Sequence, residues 1–111
     1  MEQLIIDWAL ADRLAGNNHE QAKEILALLL ELLPTHQQEI TTAYQQKNWP
    51  VLLQALHKLI SALCYCGTPR LKTAAENLYQ KVKNNLSQPS LLDRHYRELL
   101  KEINELNLIA L

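Results

Sequence analysis

Apolar residues recur along the chain at helical rather than alternating spacing, and breaks between the runs divide it into five segments. Leu4, Ile5, Trp8, Leu10, Ala11 and Leu14 share one helical pattern over residues 4–15, and Gly16 is placed to end it in a left-handed conformation. Asn17 or Asn18 then caps a second helix that runs to Leu33. Pro34 interrupts it, but Thr35 with Gln38 has the form of a capping box and restarts the helix to about Lys47. One long kinked helix or two stacked ones fit that pattern equally. Asn48-Trp49-Pro50 opens a third helix, which extends to about Tyr65 and is ended by Gly67. Thr68-Pro69 supplies a cap and a first-turn proline for a fourth, with Leu71, Ala74, Ala75, Leu78 and Val82 as its buried stripe. Ser87-Gln88-Pro89 breaks the chain, and Ser90 with Asp93 starts the last helix. Its apolar face is Leu91, Leu92, Tyr96, Leu99, Leu100, Ile103 and Leu106. No segment reads as a strand. Short connections imply antiparallel neighbours, so the expected fold is all-α: an up-down four-helix bundle with an additional short N-terminal helix as a lid, one domain over residues 1–111.

Composition sharpens this picture in two respects. A chain of 111 residues with no Phe, 2 Gly and 4 Pro suits one helical domain with a single core. The net charge of −1 offers no basic field for nucleic acid or an anionic membrane. The longest apolar run, residues 25–33, is interrupted by Glu31 and is too short to span a bilayer. Glu2 and Asp7 stand where a secretory leader would be basic, so a soluble domain of the cytoplasm is expected. Cys64 and Cys66 form a C-x-C, but His19, His36 and His95 have no spacing that completes a zinc set. No metal site is expected, and both thiols read as small apolar side chains in a reducing compartment.

His57 is the candidate for chemistry. In the third helix, at roughly 100° per residue, Leu52, Ala55, Leu56, Leu59, Leu63 and Cys66 form the stripe that must be buried. His57 falls well away from it, among Leu53, Ile60, Ser61 and Cys64. That placement predicts a solvent-accessible imidazole in a mildly apolar patch, suited to chemistry on a docked protein. His19, His36 and His95 have no partner implied by spacing and read as solvated. Nucleophile elbows, P-loops and H-E-x-x-H motifs are absent from the sequence.

His57-Lys58-Leu59-x-x-Ala62, followed by Gly67-x-Pro69-Arg70-Leu71 and then Leu78, resembles the histidine-containing phosphotransfer (HPt) domain. The likeness is strongest to C-terminal HPt modules of hybrid sensor kinases of the BarA/GacS type, and it extends to Ile6-Asp7-Trp8 and Asn48-Trp49. The resemblance implies a phosphorelay intermediate, and the likeness to a terminal module implies a piece cut from a larger kinase. In that role His57 accepts a phosphoryl group from a receiver-domain aspartyl phosphate and passes it to a second receiver. It further implies response-regulator receiver domains as partners, a monomer, and no intrinsic cofactor, with Mg²⁺ carried by the receiver. Leu53, Gln54, Ile60 and Cys64 would then dock the receiver, while Lys58 and, less directly, Arg70 would neutralise the phosphoryl charge.

Three positions depart from the family pattern. Ile60 stands where a basic or polar residue is usual, and Ser61 where glycine gives clearance. Tyr79 replaces a Glu or Gln that orients the imidazole, a task Tyr79 or Gln80 would have to assume. These departures imply slower or narrower transfer, or a degenerate HPt that binds receivers without relaying phosphate; an unrelated helical adaptor is the remaining interaction-module reading. A kinase dimerisation domain would carry an acidic residue after the histidine and a proline soon after, whereas Lys58 follows here and no proline lies between residues 51 and 68.

Overall fold

A computed structural model describes residues 3–84 and 88–110. Five helices follow one another: α1 (Trp8–Leu14), α2 (His19–Gln45), α3 (Trp49–Leu63), α4 (Pro69–Asn84) and α5 (Pro89–Ile109). No strand occurs among the described residues. The long helices α2 to α5 pack each on the next, α2 also meets α5 to close the ring, and α1 lies against α2. This is the expected four-helix bundle with a short N-terminal helix. At about 1.5 Å per residue, the 27 residues of α2 account for most of the 44 Å long axis.

Local chemistry sets the helix ends. The Asp7 carboxylate accepts from the Leu10 N–H at 3.0 Å, and the Asn18 side chain accepts from the Gln21 N–H at 3.0 Å. Asn48 caps α3 in the same way through the Val51 N–H. Between helices the chain turns through left-handed residues: Gly16 and Asn17 after α1, Lys47 after α2, Gly67 after α3. The core is mainly leucine. Leu33, Leu52, Leu56, Leu59, Leu78 and Leu99 are fully enclosed, each contributing about 1.5–3 kcal/mol of transfer free energy.

Several expectations need correction. The first helix begins at Trp8 rather than Leu4; the Asp7 cap sets its start, and Ile5 and Ile6 reach the core from non-helical backbone. Of the two arrangements left open at Pro34 the structure has the single helix, continuous from His19 to Gln45, and only the Thr35–Gln38 capping box goes unused. Thr68 precedes α4, but its buried hydroxyl has no hydrogen-bond partner and makes no cap. Helix α5 starts at Pro89 with Gln88 before it, not at Ser90, and no side chain caps it. Asp93 instead pairs with Arg97 at 2.8 Å and accepts from the Tyr44 hydroxyl at 3.5 Å. Ser87 lies outside the described residues.

The histidines expected to be solvated also differ from one another. His36 is buried and His95 is half-buried with its Nε2 unpartnered. His19 is exposed, yet its Nδ1 lies 2.8 Å from an Asp12 carboxylate oxygen and its ring sits edge-on to Trp8.

Candidate functional site

The buried stripe of α3 decides where His57 points. Leu52, Ala55, Leu56, Leu59 and Leu63 face the core, which leaves His57 on the outer surface near mid-helix. Around it lies an open groove of about 340 Å³ lined by Leu53, Gln54, His57, Lys58 and Tyr79. Leu53 and Tyr79 are half-buried and pack against the core, whereas Gln54, His57 and Lys58 are exposed. The floor is thus apolar surface from α3 and α4, and the exposed polar groups stand above it. Such an arrangement leaves the imidazole accessible at the rim of an open groove.

The remaining predicted residues separate. Ser61 is exposed one turn beyond His57, while Ile60 is half-buried against the core. Cys64 shares the His57 face but lines a second hollow, with Leu10, Leu14 and Gly67. Gln80 is exposed, does not line the groove, and accepts from the Asn84 side-chain amide. Neither Tyr79 nor Gln80 hydrogen-bonds the His57 ring among the described residues. Arg70 is a clear correction: its Nη2 donates to Glu102 at 2.8 Å and to Glu105 at 2.7 Å. It lines a polar hollow between α4 and α5 that shares no residue with the His57 groove.

Lys58 has a partner that the sequence did not suggest. Its Nζ lies 3.4 Å from Glu39 Oε1 on α2, so this cation borders both the His57 groove and an acidic side chain. Nearby on the α2 side is an apolar groove of about 350 Å³, lined by Ile25, Leu28, Leu29, Leu32, His36, Ala62, Tyr65 and Cys66. Leu28, Leu32 and Tyr65 remain exposed there, Tyr65 at 63%. A signal for this groove was present in residues 25–33, where apolar positions outnumber what one buried face can absorb.

His36 is held below the ordinary histidine range by burial, with Glu39 pulling it up and Lys58 pushing it down. The Cys66 thiol is pushed up to about 11 by burial and by Cys64, and it donates to the Ala62 carbonyl at 3.2 Å. Both cysteines are free. Among the described residues no group of three or more His, Cys, Asp or Glu is placed to hold a metal ion, and no helix is long and apolar enough to cross a membrane.

An exposed mid-helix histidine on a four-helix bundle, over an open groove, defines a class: helical-bundle modules with an accessible imidazole. Comparison with known proteins gives the family. The Hpt domain model matches residues 24–107, and the chain belongs to that family, whose role is phosphotransfer in two-component phosphorelays. It is 28% identical over 105 residues to the signal transduction histidine-protein kinase BarA of Escherichia coli strain K12, covering 95% of this chain and 11% of BarA. It is 30% identical over 82 residues to the sensor protein GacS of Pseudomonas syringae pv. syringae, covering 74% of this chain and 9% of GacS. The chain therefore spans about a tenth of the length of the curated relatives it matches. No solved structure gave a significant match.

Proposed function

We propose that His57 is the phosphoacceptor of a phosphorelay, taking a phosphoryl group from a receiver-domain aspartyl phosphate and passing it to the aspartate of a second receiver. The observation that carries this reading is the exposure of His57 above a fixed apolar floor in a chain of the Hpt family. A ring nitrogen of neutral His57 attacks phosphorus with its lone pair. The P–O bond to the receiver aspartate breaks, the electron pair leaves on the carboxylate, and the other ring nitrogen keeps its proton. The return step to a second aspartate reverses these changes.

Phosphoryl transfer depends on in-line placement and neutralisation of oxygen charge more than on covalent work by the protein. Docking supplies the placement. Leu53 and Gln54 border the histidine directly, with Ile60 and Cys64 along the same helix. The exposed Leu28, Leu32 and Tyr65 extend the apolar area toward α2. Lys58 is the cation placed to meet the phosphoryl oxygens, and the receiver brings Mg²⁺. The free cysteines suit the cytoplasm, where the domain would act as a monomer.

Ile60 and Ser61 favour a second reading, a docking module that binds receivers without transfer. The deciding experiment mixes the protein with purified phospho-receivers and Mg²⁺, beside a His57→Gln variant. Acid-labile, base-stable label on the wild type alone supports the relay. Binding without label supports the second reading, and neither label nor binding across several receivers removes both.

A further inference from the structure

Lys58 stands between two anionic neighbours, one permanent and one transient. It lines the His57 groove, and its Nζ reaches Glu39 on the adjacent helix at 3.4 Å. On α3 it follows His57 by about 100° of helical rotation, on the side facing α2. The ion pair is exposed, with Lys58 at 64% and Glu39 at 41%, so its four-carbon stem is free to move the ammonium from one partner to the other. Among the described residues Glu39 has no other ion-pair partner. His36, the other titratable side chain beside the pair, is held below the ordinary histidine range by burial, which disfavours a second cation beside Glu39.

We propose that Glu39 is a positioning residue: it holds Lys58 away from His57 in the unmodified domain, and so sets how firmly phosphorylated His57 keeps its phosphoryl group. This inference rests on the phosphoacceptor reading above. A phosphoryl group on His57 brings close to two negative charges and draws Lys58 off Glu39. Breaking the Glu39 pair opposes that movement, so the phosphorylated state is less favoured than Lys58 alone would make it. For a transfer protein this is useful, because a phosphoryl group held too firmly is not handed on.

The size of the effect follows from what exposed ion pairs contribute, which corresponds to about two- to fivefold in an equilibrium constant. Glu39→Gln keeps the side chain's shape and removes its charge. It is expected to raise the phosphorylated fraction of His57 by that factor at a fixed ratio of donor to product. Lys58→Gln is expected to lower that fraction, and in the Lys58→Gln background Glu39→Gln is expected to change nothing. This dependence on Lys58 separates positioning from direct repulsion between Glu39 and the phosphoryl group, and from a loss of stability.

The test uses two donors. With phosphoramidate, the donor's N–P bond breaks, ammonia leaves with the electron pair, and a ring nitrogen of His57 forms the new N–P bond. Phosphorylated fractions of the wild type, both single variants and the double variant are read at fixed phosphoramidate and ammonia. The same four proteins are then equilibrated with a phospho-receiver and Mg²⁺. A rise in Glu39→Gln that vanishes without Lys58 supports the proposal. No rise, or the same rise in both backgrounds, overturns it. Labelling by phosphoramidate with none from receivers sinks the relay reading but still decides the role of Glu39, and no labelling of His57 by either donor overturns both.

Discussion

Gly67 and Ala11 touch where α1 crosses the turn between α3 and α4. A Cβ added at Gly67 would lie 2.6 Å from the Ala11 Cβ and 2.8 Å from its Cα and N, and Gly67 has φ +61°. The Gly67 carbonyl also accepts from the Asp7 N–H at 2.9 Å, fixing the start of α1 to the same turn. Gly67→Ala must therefore bear a left-handed alanine and push back the backbone of α1. The first costs about 1 kcal/mol and the second about 1–3 kcal/mol. Urea unfolding is expected to show a loss of about 2–4 kcal/mol; an unmoved midpoint would mean that neither the left-handed alanine nor the displaced α1 carries a penalty.

Arg70 follows the family-like Gly67-x-Pro69 turn, yet its guanidinium is committed to α5. Arg70→Met leaves the buried Glu102 carboxylate without its cation and Glu105 without its partner. The expected outcome is a lower melting temperature with an unchanged phosphotransfer rate at a temperature where the variant is folded. A slowed transfer with unchanged melting would return Arg70 to the phosphoryl site.

How much of this was legible in the sequence depends on the distance over which residues act. The stripe of α3 and the outward placement of His57 follow from spacing within one helix, and both were readable. Pro34 left one helix or two open because a proline inside a helix costs about 3 kcal/mol, while Leu29, Leu33, Ile40 and Ala43 bury α2 on both sides of it and outweigh that cost. Once α2 is continuous, His36 lies three residues after Leu33 and four before Ile40, on the buried face. Its reading as a solvated side chain failed for that reason. Lys58 with Glu39 and Arg70 with Glu102 are separated by 19 and 32 residues, so no spacing within one helix could reveal them.

The buried His36 gives the stability a pH dependence of definite sign. Burial holds its ring below the ordinary 6.5, opposed by Glu39 and assisted by Lys58. His95 is lowered as well, by burial and then by Arg94 and Lys81, against Glu98. As pH falls through 6.5 the unfolded chain takes up these protons before the folded one does, so stability drops; below the folded values the loss stops growing. Urea midpoints are expected to fall between about pH 7.5 and pH 5.5. His36→Leu, which places an apolar side chain in the same apolar groove, is expected to flatten part of that slope. An equal slope in this variant would assign the whole dependence to other groups.

Ile60 and Ser61 set the last prediction. Ile60 is half-buried against the core and Ser61 is exposed one turn from His57, so the two departures act differently. Ile60→Lys trades part of an apolar contact for a cation whose stem can cover the same surface while its ammonium reaches outward. Ser61→Gly clears a hydroxymethyl group from the approach of a receiver but costs up to about 1 kcal/mol as glycine within a helix. The double variant is expected to melt lower than the wild type and to accept phosphate from a receiver about two- to fivefold faster, the range that one exposed ion pair supplies. The same pair of changes with His57→Gln should accept none. If the rate is unchanged in a folded double variant, Ile60 and Ser61 are neutral for transfer.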